Sequence, residues 1–266
     1  MKIIEIIEIL KNYPKLISEG RSFKDKFIIF LHFIKIPIRI YYKIIGHKYK
    51  YSLRSCVTLK NKDGIFFCGS SSLLIWAGAS FYENKIRKYF NLKKGVFVDI
   101  GANIGKYTVI LGKQLNKNGE VIAIEPEPNI FKILKKNVKL NRLKKVTLLN
   151  LACSDSDGFL DFYLDAEGAG MGHSLIKKWN KKISVQTRTL DGLLKELKIK
   201  KVDMIKMDVE EAEPMVLKGA IKILKKDHPK IIFEAWDSKH LKKVEKILSK
   251  FNYKIKKIDD MNYLAY

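Results

Sequence analysis

The chain has 266 residues, 47% of them apolar, which is enough for a sizeable buried core and excludes disorder as the default. Its three cysteines, Cys56, Cys68 and Cys153, are widely spaced and odd in number, which argues against a disulfide framework or a cysteine zinc site and favours a reducing, cytoplasmic setting. The formal net charge of +24 suits a polyanionic partner or an anionic membrane surface, but lysines scattered through every segment equally fit a compositional bias without a specific partner.

Residues 1–50 are predicted to form an N-terminal helical extension. No small-residue cleavage site follows the first residues, so a signal peptide is not expected. Residues 27–45 are strongly apolar, but a spanning helix needs about 20 residues without the interrupting charges and Pro37 found here. Apolar side chains recur in this stretch at helical spacing. Two interpretations stay open: a helix pair packed on the catalytic domain, and a basic amphipathic segment peripheral to a membrane.

Residues 51–90 are predicted to form a small β-rich lead-in. Two short strands, Ser52–Leu59 and Ile65–Cys68, flank the turn sequence Asn61-Lys-Asp-Gly64. A helix over about Phe81–Phe90 is expected to lead from this segment into the third region, residues 91–266.

Strand and helix patterns alternate through residues 91–266. The predicted strands are Val96–Gly101, Glu120–Glu125, Val146–Ala152, Phe159–Leu164, Ile183–Thr189, Asp203–Val209 and Lys230–Trp236. The predicted helices are Ile104–Leu115, Pro128–Asn141, Leu190–Leu197, Glu213–Lys226 and Ser238–Phe251. Such alternation predicts an α/β fold, with a parallel sheet that carries helices on both faces.

The C-terminus reads as strand, turn and strand, over Tyr253–Ile258 and Tyr263–Tyr266. A terminal hairpin adds an antiparallel strand to the parallel sheet. Dinucleotide dehydrogenases do not usually end this way, whereas Rossmann-like methyltransferases do. The predicted fold is therefore a Rossmann-like class I methyltransferase fold, with a mostly parallel seven-stranded sheet and a C-terminal antiparallel hairpin.

A candidate cofactor loop, Asp99-Ile-Gly-Ala-Asn-Ile-Gly105, lies between the first core strand and its helix. Gly101 and Gly105 allow the backbone to approach a ligand closely. Ligands of open α/β sheets bind beyond the carboxyl ends of the strands, which is where this loop lies. Asn103 stands where a dinucleotide motif has its middle glycine, so a pyrophosphate is not favoured.

Carboxylates follow three successive strands. Glu125, 20 residues after Gly105, can accept hydrogen bonds from both ribose hydroxyls, and Asp155 can accept them from an adenine amino group. For Asp155 the alternative is that Ser154–Gly158 is only a tight turn. Asp99 beside a phosphate would cost Coulomb energy, whereas beside the ammonium of a methionine moiety it would gain it. S-adenosylmethionine lacks phosphates and carries two cationic centres, so the pattern favours it as the cofactor.

These motifs resemble those of the FkbM family of methyltransferases, from about Phe97 to Ala235. The resemblance is carried by the glycine loop and by Ile124-Glu-Pro126, Ala152-Cys-Ser-Asp155, Thr189-Leu-Asp191, Asp208-Val-Glu210 with Glu213, Val216-Leu-Lys-Gly-Ala220 and Ile231-Ile-Phe-Glu234. It departs at Glu211, where the family usually has glycine. The resemblance implies O-methylation of a hydroxyl, often on a sugar, glycan or sugar-bearing natural product, and hence a sugar or glycan acceptor.

Candidate catalytic residues end the later strands. A sugar hydroxyl is a weak nucleophile, and general-base assistance is worth about 10²–10⁴-fold. Period-2 alternation places Lys206, Asp208 and Glu210 on one side of a strand. We predict Asp208 and Glu210 as base or metal ligands, with Glu234 at the next strand end; the alternative is a structural Lys206–Asp208 ion pair. Clustered carboxylates can bind Mg²⁺, but no spacing here requires a metal.

Two further side chains are expected to have no direct role in catalysis. Glu213 begins a helix, where the helix dipole stabilises its negative charge. His173 lies in the glycine-rich loop that contains Gly168–Gly172, a candidate lid; a lone loop histidine is expected to be solvated, and a catalytic role is the alternative.

Features of the sequence also bear on two other functions. The net charge of +24 suits an RNA methyltransferase. Amino-directed nucleic-acid enzymes of this fold, however, usually carry Asn/Asp-Pro-Pro-aromatic where this chain has the acidic Asp208-Val-Glu-Glu, so a nucleic-acid partner is less expected but stays open. A membrane-associated binding protein with a decayed cofactor fold is disfavoured by the intact set Asp99, Gly101, Gly105 and Glu125.

Overall fold

The computed structural model of the protein describes residues 3–45, 55–115, 118–164, 173–176 and 181–266. The chain divides into two units, Met1–Tyr82 and Glu83–Tyr266. Within the described residues, every helix is too short or too polar to cross a bilayer.

The first unit joins the N-terminal helices to a β-hairpin. Its elements are α1 (Ile3–Glu19), α2 (Phe23–Ile34), α3 (Ile36–Ile44), β1 (Val57–Lys60), β2 (Ile65–Gly69) and α4 (Ser72–Gly78). The break between α2 and α3 falls beside Pro37, which stands in the first turn of α3, where its missing N–H is tolerated. The antiparallel pairing of β1 with β2 agrees with the predicted hairpin, although residues 51–54 of its predicted first strand lie outside the described residues.

Buried carboxylates connect these elements. Ser22 and Asp25 form a reciprocal capping box at the start of α2. The other oxygen of Asp25 accepts a hydrogen bond from the Thr58 amide of β1 at 2.8 Å. Glu19, at the end of α1, accepts hydrogen bonds from the Ser80 amide at 3.0 Å and from the Asn61 side chain at 2.9 Å. Residues on both sides of the predicted boundary at residue 50 therefore belong to one unit.

The second unit contains two sheets among its described residues. The strands are β3 (Gly95–Ile100), β4 (Gly119–Ile124), β5 (Val146–Leu149), β6 (Ala152–Cys153), β7 (Gly158–Leu164), β8 (Lys181–Arg188), β9 (Met204–Met207), β10 (Lys230–Glu234), β11 (Ile255–Lys257) and β12 (Asn262–Ala265). The large sheet has seven strands in the order β11-β12-β10-β9-β3-β4-β5, and the small one has the order β6-β8-β7. In the large sheet only the pairings of β12, with β10 and with β11, are antiparallel. This arrangement confirms the predicted seven-stranded, mostly parallel sheet with its C-terminal hairpin.

Helices follow the strands of this unit. They are α5 (Asn84–Arg87), α6 (Lys106–Gln114), α7 (Pro128–Leu140), α8 (Leu190–Glu196), α9 (Glu213–Lys218), α10 (Ile221–Lys226) and α11 (Ser238–Leu248), which continues into a 3₁₀ turn at Ser249–Phe251. One face of the large sheet buries Val98 and Ile205 against Val244 of α11, and the other buries Phe97 against Leu111 of α6. Both faces are thus covered, as the continuous apolar strands require.

Several predicted elements differ from the structure. The helix predicted over Phe81–Phe90 is wrong, because α5 has only four residues and Glu83 before it takes a left-handed conformation. The strand predicted over Val146–Ala152 divides between the two sheets, and between its halves the Asn150 side chain donates a hydrogen bond to the Glu125 carbonyl at 2.8 Å. The helix predicted over Glu213–Lys226 breaks at Gly219, where a Cβ would lie 2.0 Å from the Ser154 carbonyl oxygen.

Candidate functional site

The loop after β3 is shaped by close contacts with its own neighbours. Gly101 has φ +74°, and a Cβ there would lie 1.9 Å from the Asp208 carbonyl oxygen. Gly105 has φ +87°, and its Cβ would lie 2.5 Å from Cδ1 of Leu134. Both positions need glycine because of the backbone conformation and the packing. The sequence analysis expected these glycines to let a ligand approach the backbone. In the structure they instead let the loop pack closely against the end of β9 and against α7.

Glu125 holds this loop from the end of β4. Its Oε2 accepts a hydrogen bond from the Asn103 amide and its Oε1 accepts one from the Glu127 amide, both at 2.9 Å. Asn103 adopts φ 52° and closes the turn by accepting a hydrogen bond from the Ile104 amide at 2.7 Å. Burial raises the pKa of Glu125 to about 7. Each carboxylate oxygen still has a further acceptor site, so the predicted contact with ribose hydroxyls stays compatible with this geometry.

Asp99 is 1% exposed at the end of β3. Its Oδ2 accepts a hydrogen bond from the Thr108 hydroxyl at 2.6 Å, whereas its buried Oδ1 has no hydrogen-bond donor within the part of the chain that the structure describes. Burial raises the pKa of this carboxyl group. A buried acceptor left unsatisfied costs about 1–3 kcal/mol. A cationic ammonium group is the kind of ligand that would satisfy it, so Asp99 fits the amino acid end of S-adenosylmethionine.

A second group of acids surrounds Lys206 of β9. The Lys206 Nζ lies 3.0 Å from Oδ2 of Asp208, which is the ion pair that the sequence left as an alternative. The Lys206 ammonium also lies 5.2 Å from the centre of the Tyr107 ring. Although burial lowers the pKa of Lys206, the surrounding carboxylates, Asp208 foremost, raise it on balance. Lys206 is therefore a permanent positive charge among these acids.

Glu83 joins this group and was missed by the sequence analysis. Its Oε2 accepts a hydrogen bond from the Tyr107 hydroxyl at 2.8 Å. Carboxylate oxygens of Glu83, Asp208 and Glu234 all lie within 4.8 Å of one another. No periodicity or motif marks Glu83, since a turn before α5 brings it to the site. Mg²⁺ at these carboxylates stays a prediction, and Lys206 already supplies positive charge there.

Glu234 lies at the end of β10 and is 9% exposed. Burial, followed by the negative charge of Asp208, raises its pKa to about 9. A carboxyl group with this pKa keeps its proton at neutral pH, so it donates a hydrogen bond rather than accepting a proton. This favours Asp208 over Glu234 for the role of general base.

The loop after β9 departs from the predicted strand over Asp203–Val209. The strand ends at Met207, so the alternation that placed Glu210 beside Asp208 does not extend that far. Glu210 and Glu211 both take left-handed conformations, with φ 53° and 78°. The carbonyl oxygen of Glu210 accepts a hydrogen bond from the Ser174 hydroxyl at 2.7 Å. The φ of Glu211 explains in physical terms why a glycine suits that position.

Glu213 also contacts the loop after β9. It is fully buried at the start of α9, and its Oε1 accepts a hydrogen bond from the Val209 amide at 3.1 Å. Its Oε2 lies 2.9 Å from Nε2 of His240, which is also buried. The interpretation of Glu213 as a helix-dipole residue therefore missed its main contacts.

Two other predicted positions lie differently from expectation. Asp155 is exposed on the turn after β6 of the small sheet, not at the tip of a large-sheet strand, and its contact with adenine stays a prediction. His173 is buried, with its ring in edge contact with Phe162 at 6.0 Å, so the expectation that it is solvated is wrong. The segment Gly168–Gly172 lies outside the described residues.

The geometry brings together Asp99, Glu125, Asp208 and Glu234, which end four neighbouring strands of one sheet. The sequence matches the methyltransferase FkbM domain over residues 99–255, which is more than half of the chain. The chain belongs to the FkbM methyltransferase family. The FkbM match agrees with the strand order of the large sheet, and it confirms a class I, S-adenosylmethionine-dependent methyltransferase domain.

Three proteins to which this chain is similar carry the names of different transferases. The 2-O-methyltransferase NoeI of Sinorhizobium fredii is 29% identical over 147 residues, which cover 49% of this chain and 59% of NoeI. The hexuronic acid methyltransferase AglP of Haloferax volcanii is 30% identical over 124 residues, covering 47% of this chain and 49% of AglP. A tRNA(Phe) (4-demethylwyosine(37)-C(7)) aminocarboxypropyltransferase of Methanocaldococcus jannaschii is 32% identical over 89 residues, covering 34% and 35%. In each case the similarity spans less than two thirds of the relative.

Proposed function

We propose that the protein transfers the methyl group of S-adenosylmethionine to a hydroxyl of a sugar, glycan or glycolipid. The observation that carries this proposal is the row of carboxyl groups at four neighbouring strand ends, which contains the buried, unsatisfied Oδ1 of Asp99. When bound, S-adenosylmethionine supplies an electrophilic methyl group, and its sulfonium sulfur is a good leaving group. The protein's task is then to align the acceptor and to receive its proton.

The cofactor half of the site is assigned to the β3 and β4 ends. Asp99 would receive the ammonium group, because its Oδ1 is buried and accepts no hydrogen bond from the described residues. Glu125 would accept the ribose hydroxyls with the lone pairs left by its two amide hydrogen bonds. Gly101, Asn103 and Gly105 give the loop the left-handed backbone that seats it between these two acids.

The acceptor half is assigned to the β9 and β10 ends. Asp208 would accept the hydroxyl proton, with Lys206 holding its carboxylate in place at 3.0 Å. Glu234, which keeps its proton, would donate a hydrogen bond to a neighbouring acceptor oxygen. Alternating donors and acceptors of this kind suit a polyol. The names of NoeI and AglP, a 2-O-methyltransferase and a hexuronic acid methyltransferase, support a sugar hydroxyl as the target.

The Asp208→Asn variant tests the acceptor half. We expect it to bind S-adenosylmethionine normally by calorimetry but to lose turnover by at least about 100-fold, because the general base is removed. Unfolding must be measured in parallel, since the substitution leaves Lys206 without its charged partner. The matched control is Asp260→Asn on the exposed C-terminal turn. Full turnover in Asp208→Asn would remove Asp208 from this role.

The acceptor itself can be sought by mass spectrometry. Glycans and lipids from a strain that lacks the gene should lose one methyl group, about 14 mass units, from a single sugar-containing species. Restoration of that methyl group by the wild-type chain, but not by Asp208→Asn, would link the loss to the site.

RNA is the second candidate acceptor. The net charge of +24 and the M. jannaschii relative, whose name refers to tRNA, favour it. The acidic sequence Asp208-Val-Glu-Glu opposes it, because phosphates would be repelled there. A gel shift with bulk RNA over a salt series distinguishes the two candidates: steep salt dependence together with methylation of a base would favour RNA.

A further inference from the structure

An exposed row of large apolar side chains runs along α2 and α3. It consists of Phe23, Phe27, Phe30, Ile34, Ile38 and Tyr41, and we call this row the apolar stripe. Its members are spaced by three or four residues, so they share one side of the helical path. Each is between 42% and 85% exposed, whereas Ile28, Ile29 and Ile36 of the same helices are buried. The helices thus pack through one side and present the other to solvent.

The charges beside the stripe are almost all positive. Between residues 23 and 44 the sequence contains one carboxylate, Asp25, and five basic residues: Lys24, Lys26, Lys35, Arg39 and Lys43. Asp25 does not offset them at the surface, because it is buried and hydrogen-bonded to Ser22 and Thr58. Lys24 and Lys26 are exposed, so the charge that the structure describes at the surface of α2 is cationic.

The apolar stripe and the positive charges beside it together favour one of three binding partners. RNA would neutralise the lysines but offers no medium that buries six large apolar side chains. A second copy of the chain could cover the stripe, but it would bring two cationic margins together. An anionic bilayer matches both features, since acyl chains receive the stripe and headgroups pair with the lysines.

We propose that α2 and α3 lie in the headgroup layer of an anionic membrane, with the apolar stripe turned toward the acyl chains. The contact does not depend on the proposed methyl transfer, since it uses residues of the first unit only. It also needs no helix that spans the bilayer, in keeping with the shortness of both helices.

Flotation of the full chain with lipid vesicles tests the proposal. One vesicle set is phosphatidylcholine with about a third phosphatidylserine, and the other is phosphatidylcholine alone. We expect binding to the anionic set that weakens as salt is added. Phe27→Glu combined with Phe30→Glu should weaken it at least tenfold, because two charged groups would enter the acyl boundary. The matched control is Phe159→Glu, which changes a phenylalanine 72% exposed in the second unit and should bind like the wild type.

Several outcomes would overturn the proposal. These are unchanged binding by the double variant, equal loss in Phe159→Glu, and no binding by the wild-type chain. A wild-type dimer in vesicle-free solution that the double variant abolishes would assign the stripe to a second copy. RNA binding lost in the double variant would assign it to nucleic acid.

A second measurement keeps the proposal testable even if the double variant misfolds. Phe27→Trp is a mild change, and its fluorescence, taken as the difference from wild type, should shift to the blue when anionic vesicles are added. Phe159→Trp should show no shift. An unshifted Phe27→Trp would contradict the proposed depth of the stripe.

Discussion

Glu234→Gln should flatten the pH dependence of stability. In the folded chain, burial and the nearby Asp208 raise the pKa of Glu234 from 4.5 to about 9. The unfolded chain keeps the ordinary pKa, so between these values the folded state binds one proton more. The stability that Glu234 contributes is thus complete below its unfolded pKa and is lost as pH rises through the folded pKa.

The magnitude follows from the linkage of one proton. Glu234 can lower the free energy of unfolding by at most about 1.4 kcal/mol for each pH unit within this window. Between about pH 6 and about pH 8 the free energy of unfolding of the wild type should therefore fall by up to roughly 3 kcal/mol more than that of Glu234→Gln. Gln cannot ionise and has nearly the same shape as the protonated acid.

Urea unfolding at several pH values, followed by circular dichroism, measures this difference. Other buried acids, such as Glu125, also lower the free energy of unfolding as pH rises. The comparison therefore uses the difference between wild type and Glu234→Gln in the slope of this free energy against pH. Glu245→Gln, the same chemical change on α11, serves as the control and should keep the wild-type slope. Parallel slopes for wild type and Glu234→Gln would refute the claim that Glu234 holds a proton at neutral pH.

Three further predictions concern the backbone around the site. Glu211→Gly should raise the free energy of unfolding by about 1 kcal/mol in urea titration, because φ 78° is left-handed; an unchanged or lower value would contradict this strain. Gly101→Ala should lower the thermal midpoint and weaken S-adenosylmethionine binding, since its Cβ would lie 1.9 Å from the Asp208 carbonyl; wild-type behaviour would mean the loop is seated otherwise. Glu213→Ala should cost about 1–3 kcal/mol, because it leaves the buried Val209 amide without its acceptor and removes the carboxylate that lies 2.9 Å from Nε2 of His240; a loss below about 0.5 kcal/mol would count against that support.

The large sheet and the glycine loop after β3 could be predicted because their signals are local. Apolar strands separated by helical patterns define the sheet, and Asp99 and Glu125 directly end two of its strands. The split between β5 and β6 could not be predicted in the same way. Seven mostly apolar residues fit one strand as well as two, and the Asn150 side chain that follows β5 bonds to the end of another strand.

Contacts distant in sequence account for what the site predictions missed. Glu83 reaches Tyr107 from a turn that no pattern marks, and Glu213 meets His240 from a different helix. The pairing of Lys206 with Asp208 was foreseen as an alternative, because the two residues share one strand end and carry opposite charges. Their enclosure by Glu83 depends on tertiary packing, which periodicity does not encode.

The central claim, that acids at neighbouring strand ends hold a cationic cofactor without phosphates, is tested most directly by calorimetric titration with S-adenosylmethionine. We expect one molecule to bind per chain, NAD⁺ not to compete, and Asp99→Asn to bind at least about tenfold more weakly because the ammonium loses its buried charged partner. Binding of NAD⁺ in place of S-adenosylmethionine, or unchanged affinity in Asp99→Asn, would contradict the account.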